Sequence, residues 1–290
     1  LRRKLFETFE EVRTLAPPKP RSLLSIQFRK WDIQNILAVV RGKAAGLLPE
    51  DILAGVFPAG ELGDVELEEL AAEDNIKAVI DALTAWSFPF AFELRNVVRE
   101  HSDKLDGASL EAEFMRILFA WALNDLSVND PDQSLLRNHI RNQIDLINLK
   151  SVLWAVSQNE AGCRPEPVAP VLGGRITTRM LSAIEQSSSL ERSFEILGES
   201  YFRRAIDRGI LAFGEARRLA VMERFLEIEI IQAGCKIFRA DPLGIGVAIG
   251  YIWRKYNEFM NLRILLRNKS FGKPAPATRQ ELFLVEGSGN

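Results

Sequence analysis

Three glycines in one apolar run are the residues that come nearest to a recognisable chemical motif. The run "DPLGIGVAIGYIW" places Gly244, Gly246 and Gly250 in an order that resembles a loop for the phosphates of a dinucleotide. That loop requires a preceding strand, a following helix and an acidic residue about 20 positions later, within a parallel βαβ unit. A helical pattern and an Asp-Pro pair precede these glycines instead. We therefore expect no cofactor, and we interpret Gly246 and Gly250 as helix-packing glycines that let another backbone approach closely.

Metal ligands and activated nucleophiles are also missing from the sequence pattern. His101 and His139 are the only histidines, and neither has a second ligand three or four positions away. The two cysteines, Cys163 and Cys235, give no metal signature and fit a reducing compartment. The serines 187–189 lack the Gly-x-Ser-x-Gly setting of a hydrolase, and no Gly-Lys-Ser/Thr phosphate loop occurs. We predict no catalytic residue, no metal site and no small-molecule substrate.

Charge and hydropathy exclude two further classes of protein. The formal net charge of −2 argues against a nucleic-acid partner, because neutralising phosphates requires a basic surplus. In the glycine run, the stretch without charge covers only positions 242–253, whereas a bilayer span needs roughly 20 apolar residues. We expect no membrane-crossing segment, so any connection to a membrane goes through a partner.

The elements that must position these residues are predicted to be helices nearly throughout. Segments such as "LEAEFMRILFAWALNDL" and "ESYFRRAIDRGILAFGEARRLAVMERFLEIEIIQ" carry apolar residues at three- and four-residue spacing. Only "ELFLV", residues 281–285, suggests a strand, and weakly. The sequence predicts an all-α protein.

A threefold internal repeat organises the helices. An acidic residue followed three positions later by asparagine, and then by leucine or isoleucine, occurs at positions 32, 145 and 258, which are equally spaced. Prolines 20, 131 and 242 give a second marker that is also equally spaced. Two independent markers with regular spacing indicate one helical module copied three times. The residues of the structural repeat are Asp32, Asn35, Asp145, Asn148, Glu258 and Asn261.

Each copy also carries an apolar stripe one, four and eight positions after the acid, which neighbouring helices are expected to cover. Arg and Lys near the helix end and a terminating glycine follow in the first and third copies, whereas the middle copy has its Gly162 three residues late. For the asparagines we favour buried side chains that bond a neighbouring helix end; ligand-binding groups are the alternative. The three stripes are Ile33/Ile36/Val40, Leu146/Leu149/Leu153 and Phe259/Leu262/Leu266.

The repeat period, from one acid to the next, predicts three small helical bundles. A unit of about 113 residues exceeds the roughly 34–47 residues of common helical repeats. We assign bundle 1 to residues 1–60, bundle 2 to 61–174 and bundle 3 to 175–290. Projecting the unit backwards from Asp32 leads to the expectation that the N-terminal part of bundle 1 is missing from this chain.

One acidic run stands apart from the repeat. Seven acidic residues precede Lys77 with no basic residue between them. A solvated helix with acids near its N-terminus is the simpler interpretation, and a docking face for a basic partner is the alternative. The run comprises Glu61, Asp64, Glu66, Glu68, Glu69, Glu73 and Asp74.

Two of the repeated stretches resemble the signatures of a known family. "DPLGIGVAIGYIWRKYNEFMNLRILLRNKSFGKPA" resembles the C-terminal signature of the C subunit of rotary V/A-type ATPases, the counterpart of the d subunit of eukaryotic V-ATPases. "WDIQNILAVVRGKAAGLLPEDI", followed by "VFPAGEL", resembles the first-unit signature of the same family. The similarity runs from about Trp31 to Val285 and is weakest in the middle third.

The resemblance implies a funnel of three similar helical bundles around a pseudo-threefold axis, without enzymatic activity. Such a subunit sits peripherally on the cytoplasmic face of the membrane. It receives a central shaft of subunits D and F and rests on the membrane proteolipid ring, so that torque passes through it for proton or sodium transport. A stand-alone α-helical repeat scaffold for protein–protein interaction is the alternative, and an enzyme that uses Gly244–Gly250 as a cofactor loop is the third hypothesis.

Overall fold

The fold is entirely helical in the part of the chain that the structure describes, which confirms the predicted class. A computed structural model describes residues 2–100, 107–165 and 169–285. In these ranges no strand occurs, and residues 282–285 of the weak strand candidate form an irregular segment. The helices are α1 Arg2–Leu15, α2 Pro18–Ala44, α3 Pro49–Gly55, α4 Asp64–Ala72, α5 Ile76–Ala85, α6 Ala91–Glu100, α7 Gly107–Asp125, α8 Pro131–Glu160, α9 Thr178–Glu185, α10 Leu190–Leu197, α11 Arg203–Ala216, α12 Leu219–Lys236, α13 Ile245–Ser270 and α14 Ala275–Glu281, with a short 3₁₀ turn at Ile237–Arg239.

The order of the helices repeats along the chain. The long helices α2, α8 and α13 carry the three acid–asparagine pairs. Helices α4 to α7 follow α2, and α9 to α12 follow α8 in the same order and with comparable spacing. A short helix that begins with proline or just after it, α3 or α14, follows the first and third long helices. The period of the sequence is therefore visible as a period of elements.

All three long helices end in the same turn. Gly46, Gly162 and Gly272 adopt left-handed φ angles of 67°, 81° and 65°, a region that glycine enters without a steric cost. The amide that follows each glycine reaches back to a carbonyl in the last turn: Leu47 to Gly42, Cys163 to Gln158 and Lys273 to Asn268. The middle helix ends three residues late because its terminating glycine is displaced, as the sequence indicated.

Burial follows the predicted stripe in two copies and departs from it in the third. Ile33, Ile36 and Val40 are fully buried on α2. On α8, Leu149 and Leu153 are fully buried and Leu146 is partly exposed. On α13, Phe259 is buried, but Leu262 and Leu266 are 37% and 57% exposed. The expectation of a covered stripe is wrong for α13. The physical reason is that α13 packs on α12, the 3₁₀ turn and α14, and this packing leaves Leu262 and Leu266 open to solvent.

The chain divides into two compact units by its internal contacts. Residues 2–133 form one unit, and the residues from Ser134 onward form the other. Helix α7 packs on α2 in the first unit, and α11 and α13 pack on α12 in the second. The three-bundle division at residues 60 and 174 stays a prediction.

No helix in the described ranges combines the length and apolar character that a bilayer crossing requires.

Candidate functional site

The repeated asparagines each clamp one backbone residue further along the chain. Asn35 on α2 donates through its Nδ2 to the carbonyl of Phe57 and accepts the amide of Phe57 at its Oδ1. Asn148 makes the same two bonds with Val171, both at 2.8 Å. Asn261 makes them with Phe283, at 3.1 and 2.7 Å. A side-chain amide thus replaces a backbone partner three times, which satisfies donor and acceptor together.

The clamped residues lie in irregular segments beyond a helix, not at a helix end. Phe57 is the second residue after α3, and Phe283 is the second residue after α14. Asn35 and Asn148 are 3% and 4% exposed, and the bonds between Asn148 and Val171 are shielded from water on both sides. Leaving such a buried group unpaired costs about 1–3 kcal/mol. Each clamp therefore fixes where the chain runs after it leaves the long helix.

The acid three residues before the asparagine has a second role in copies one and two. Asp32 accepts the amide of Leu62 at 2.9 Å and pairs with Arg29 at 3.0 Å. Asp145 accepts the amides of Arg175 and Ile176 at 2.9 and 3.0 Å. These carboxylates hold the segment that leads into α4 or α9, well beyond the end of their own helix.

A glycine makes room for each of these two carboxylates. A Cβ atom on Gly60 would lie 1.8 Å from Oδ1 of Asp32, and one on Gly174 would lie 2.1 Å from Oδ1 of Asp145. Both distances are far inside van der Waals contact, so neither position tolerates a side chain without displacement of the acid. The signal was present in the sequence, since the two glycines follow their acids at nearly the same distance along the chain.

Glu258, the acid of the third copy, behaves differently. Its side chain is 56% exposed and pairs with Lys255 at 2.9 Å. The positions that correspond to Leu62 and Ile176 in the third copy fall in the range 286–290, which lies outside the described residues. The structure therefore brings together Asp32 with Asn35 and Asp145 with Asn148 on common segments, but it shows only the asparagine clamp for Glu258 and Asn261.

Burial perturbs the two shielded acids. Removal from water raises the pKa of Asp32 to about 6, against the opposing effects of the Arg29 charge and of the backbone amides of Leu62 and Glu61. Removal from water also raises the pKa of Asp145, and the amide of Ile176 and the hydroxyl of Tyr201 oppose it. Burial, followed by the Asp145 charge, raises the pKa of Tyr201 above its usual range, so its O–H stays available to donate to Asp145 at 2.8 Å.

An aromatic ring with a guanidinium over it completes both acid sites. Phe88 and Tyr201 lie one repeat period apart and occupy the same place after their acids. Arg29 stands 4.8 Å from the centroid of the Phe88 ring, and Arg175 stands 4.5 Å from that of Tyr201. The arginine comes from the long helix in the first copy and from the following segment in the second. Sequence reasoning missed these rings because the arginine that accompanies them changes position.

The glycine run forms a capped helix start. Asp241 accepts the amides of Gly244 and Gly246 at 2.8 and 3.1 Å, and α13 begins at Ile245. A Cβ on Gly246 would lie 2.8 Å from the carbonyl oxygen of Asp241 and 3.2 Å from that of Ile237. A Cβ on Gly250 would meet no atom closer than 3.5 Å, which is ordinary contact. The close backbone approach therefore occurs at Gly246.

The remaining candidate residues do not converge. His139 is buried with its ring 4.9 Å from that of Trp253, and His101 lies outside the described residues. Cys163 is exposed and Cys235 is buried, and both are free thiols. Among the described residues no group of three or more His, Cys, Asp or Glu side chains is placed to hold a metal ion. Apart from Glu258, the repeated residues bind the protein's own backbone.

These features define an all-helical protein built on an internal repeat, with a side-chain clamp on each long helix. The family model described as ATP synthase (C/AC39) subunit matches residues 1–281, and the chain belongs to that family.

Curated relatives agree with this assignment over nearly the whole chain. The C subunit of the A-type ATP synthase of Methanothermobacter thermautotrophicus is 25% identical over 274 residues, which are 93% of this chain and 69% of the relative. The protein of the same name from Methanococcoides burtonii is 25% identical over 287 residues, covering 98% of this chain and 77% of the relative. That from Halorubrum lacusprofundi is 23% identical over 288 residues, covering 98% and 80%.

Proposed function

We propose that the chain is the non-catalytic central-stalk adapter of a rotary V/A-type ATPase. It seats the rotor shaft of subunits D and F on the membrane proteolipid ring and transmits torque for ATP-coupled proton or sodium transport. Its place is peripheral, on the cytoplasmic face of the membrane. The observation that carries the proposal is the match to the ATP synthase (C/AC39) subunit family over residues 1–281.

The proposal includes three similar bundles around a pseudo-threefold axis, forming a funnel. Support comes from the three long helices, which share the clamp from Asn35, Asn148 or Asn261 and the same left-handed glycine turn. Quasi-equivalent modules related by rotation would enclose a central concavity for a shaft. The repeat supplies the equivalent parts that such an arrangement requires.

Stiffness is the physical property that links the clamps to this role. An adapter that transmits torque must deform little under load, and close-packed helices have low compressibility. Irregular connections are the softest parts of a helical protein. The clamps fix three of these connections to long helices by paired hydrogen bonds. The arrangement thus resists deformation where helical packing alone does not.

Purification of the native complex tests the adapter role. The chain, carrying an affinity tag, is recovered from gently solubilised membranes of its source, and the bound proteins are identified by mass spectrometry. We expect shaft subunits and the proteolipid to co-purify in constant ratio. Recovery of the tagged chain without any proteolipid or shaft subunit, while the other rotary ATPase subunits remain intact in the same membranes, would overturn the proposal.

The stand-alone repeat scaffold remains the second candidate. It would be recovered with other proteins and without a rotary ATPase. The cofactor-loop hypothesis makes a separate statement, namely micromolar binding of a nicotinamide or flavin nucleotide to the purified chain. Direct titration of both nucleotides distinguishes it from the adapter, for which we expect no saturable binding.

A further inference from the structure

A cavity of about 460 Å³ opens on the first unit beside the acid site of copy one. One wall is aromatic and apolar, formed by Trp86, Phe88 and Pro89 from the turn between α5 and α6. The lining also includes Val65 and Glu69 from α4. Val65 and Trp86 are 64% and 36% exposed, so large apolar side chains stand at the cavity mouth.

The internal repeat shows which lining residues the fold requires. Phe88 corresponds to Tyr201, and both copies place an acid and a guanidinium beside this ring, so these groups belong to the architecture. The residues at the rim of the cavity, Glu66, Glu69 and Trp86, do not follow the same pattern. Because α4 begins at Asp64 and α9 at Thr178, Glu66 and Glu69 correspond to Met180 and Ala183, while Trp86, taken at the offset that relates Phe88 to Tyr201, corresponds to Glu199. Copy two thus folds with a different charge and no tryptophan at these positions, and the acidic aromatic rim of copy one is not explained by folding.

Most charges around the cavity are already engaged. Arg29 is paired with Asp32 and lies over Phe88. Glu66 accepts the amide of Gly63 at 3.0 Å, and Glu61 lies 3.5 Å from Arg13. Glu69 is exposed, and its carboxylate makes no hydrogen bond or ion pair within the described part of the chain. One anionic group therefore remains open in the lining of this cavity, to which the exposed indole of Trp86 also belongs.

We propose that this cavity binds a basic segment of a partner polypeptide and seats one arginine or lysine side chain between Trp86 and Glu69. The aliphatic stem of such a residue packs on Val65, as long cationic side chains pack on apolar surface. Its charged head meets the Trp86 ring and the Glu69 carboxylate, which favour a cation together. The neighbouring acids 64, 68, 73 and 74 add a long-range field of the same sign. The proposal does not depend on the adapter role.

A titration of the full chain with short peptides tests this assignment. The probe is the acetylated, amidated peptide Ala-Leu-Arg-Leu-Ala, followed through the indole N–H resonance of Trp86 in ¹⁵N-labelled protein. The matched peptide has citrulline in place of arginine, with the same shape and no charge. We expect saturable shifts of the Trp86 resonance with the arginine peptide and weak or no shifts with the citrulline peptide.

Variants localise the effect. Glu69→Gln should weaken binding about fivefold and reduce its dependence on salt, while the neighbouring acids keep part of that dependence. Glu68→Gln removes an exposed carboxylate from the same helix outside the cavity lining, and we expect it to bind within about twofold of the parent, since only a screened long-range charge is lost. Equal shifts with both peptides, tighter binding of a glutamate-containing peptide, or an unchanged affinity in Glu69→Gln would each overturn the proposal.

Discussion

At the scale of single residues, each repeated asparagine takes the place of a backbone strand partner inside a helical protein. Asn148 is the clearest case, because both of its bonds to Val171 are 2.8 Å long and the group is buried. Its neighbour Asp145 holds the next segment through the amides of Arg175 and Ile176. Two adjacent side chains on one helix face thus position two successive parts of the same connection.

Replacement of this asparagine should be costly. Asn148→Ala leaves the amide and the carbonyl of Val171 unpaired in a buried setting, so we expect the free energy of unfolding to fall by about 2–4 kcal/mol. Chemical denaturation measures the change. The matched control is Asn138→Ala, an exposed asparagine on the same helix, which makes the same gain in helix propensity. Equal stability of the two variants would contradict the clamp.

The raised pKa of Asp32 makes stability depend on pH. Because its folded pKa of about 6 exceeds the ordinary value of 3.8, this group contributes stability that is fully present below about pH 3.8 and lost as the pH rises through 6. The total change is on the order of 3 kcal/mol. We expect the free energy of unfolding of the parent to fall, relative to that of Asp32→Asn, as the pH rises from 4 to 7.

A control separates this dependence from that of other carboxyl groups. Asp51→Asn removes an exposed carboxylate from α3 by the same chemical change. Over the same pH range, the difference from the parent should change more for Asp32→Asn than for Asp51→Asn. An equal dependence on pH in the two variants would show that burial does not perturb Asp32.

The sequence predicted the repeated residues but not their partners. Equal intervals along the chain identify Asn35, Asn148 and Asn261 without any structure. Their partners, Phe57, Val171 and Phe283, could not be identified, because a side-chain amide binds backbone groups, which every residue carries. The hydroxyl donation to Asp145 was equally hidden, since the residue of the first copy that corresponds to the tyrosine is phenylalanine.

At the scale of elements, helix boundaries depend on local geometry that periodicity does not encode. Apolar spacing runs on through residues 199–232, yet the structure divides this region into α11 and α12. The break lies at Arg217, which adopts a left-handed φ of 51°. Because this position is neither glycine nor proline, the sequence does not mark the break there. The ends at Gly46 and Gly272 were predictable because glycine marks them.

Replacement of the two glycines of α13 by alanine should change the stability of the protein in opposite directions. In Gly246→Ala the new methyl group meets the backbone oxygen of Asp241 at 2.8 Å, and we expect a loss of about 1–3 kcal/mol. In Gly250→Ala the nearest atom is 3.5 Å away, so the gain in helix propensity of about 1 kcal/mol should prevail. Thermal unfolding of the two variants measures both. A loss of the same size at Gly250 would show that this glycine also serves close packing.

Corresponding positions of two long helices should differ in their sensitivity. Val40 on α2 is fully buried, whereas Leu266 on α13 holds the same place in the repeat and is 57% exposed. We expect Val40→Ala to reduce the free energy of unfolding by about 2 kcal/mol, and Leu266→Ala to change it by less than about 0.5 kcal/mol. A large loss in Leu266→Ala would mean that this face is covered in solution.

At the scale of the whole molecule, the repeat and the compact units divide the chain differently. The sequence carries three acid–asparagine pairs, while internal contacts separate residues 2–133 from those that follow. The first pair lies in one unit, and the second and third lie in the other. A period in the sequence indicates that a module was copied. The division into compact units depends instead on which helices pack against each other, and the period alone does not predict this packing.

Clamps in different units should act independently. The bonds of Asn35 end on Phe57, and those of Asn261 end on Phe283, so the two clamps share no partner. Without shared partners, the losses in unfolding free energy from Asn35→Ala and Asn261→Ala should add in the double variant to within about 0.5 kcal/mol. Amide hydrogen exchange supplies a local readout, since we expect exchange at Phe57 to accelerate only when Asn35 is replaced, and exchange at Phe283 only when Asn261 is replaced. A coupling energy above about 1 kcal/mol would show that the two clamps interact. Faster exchange at both amides in either single variant would show that the two units unfold as one body.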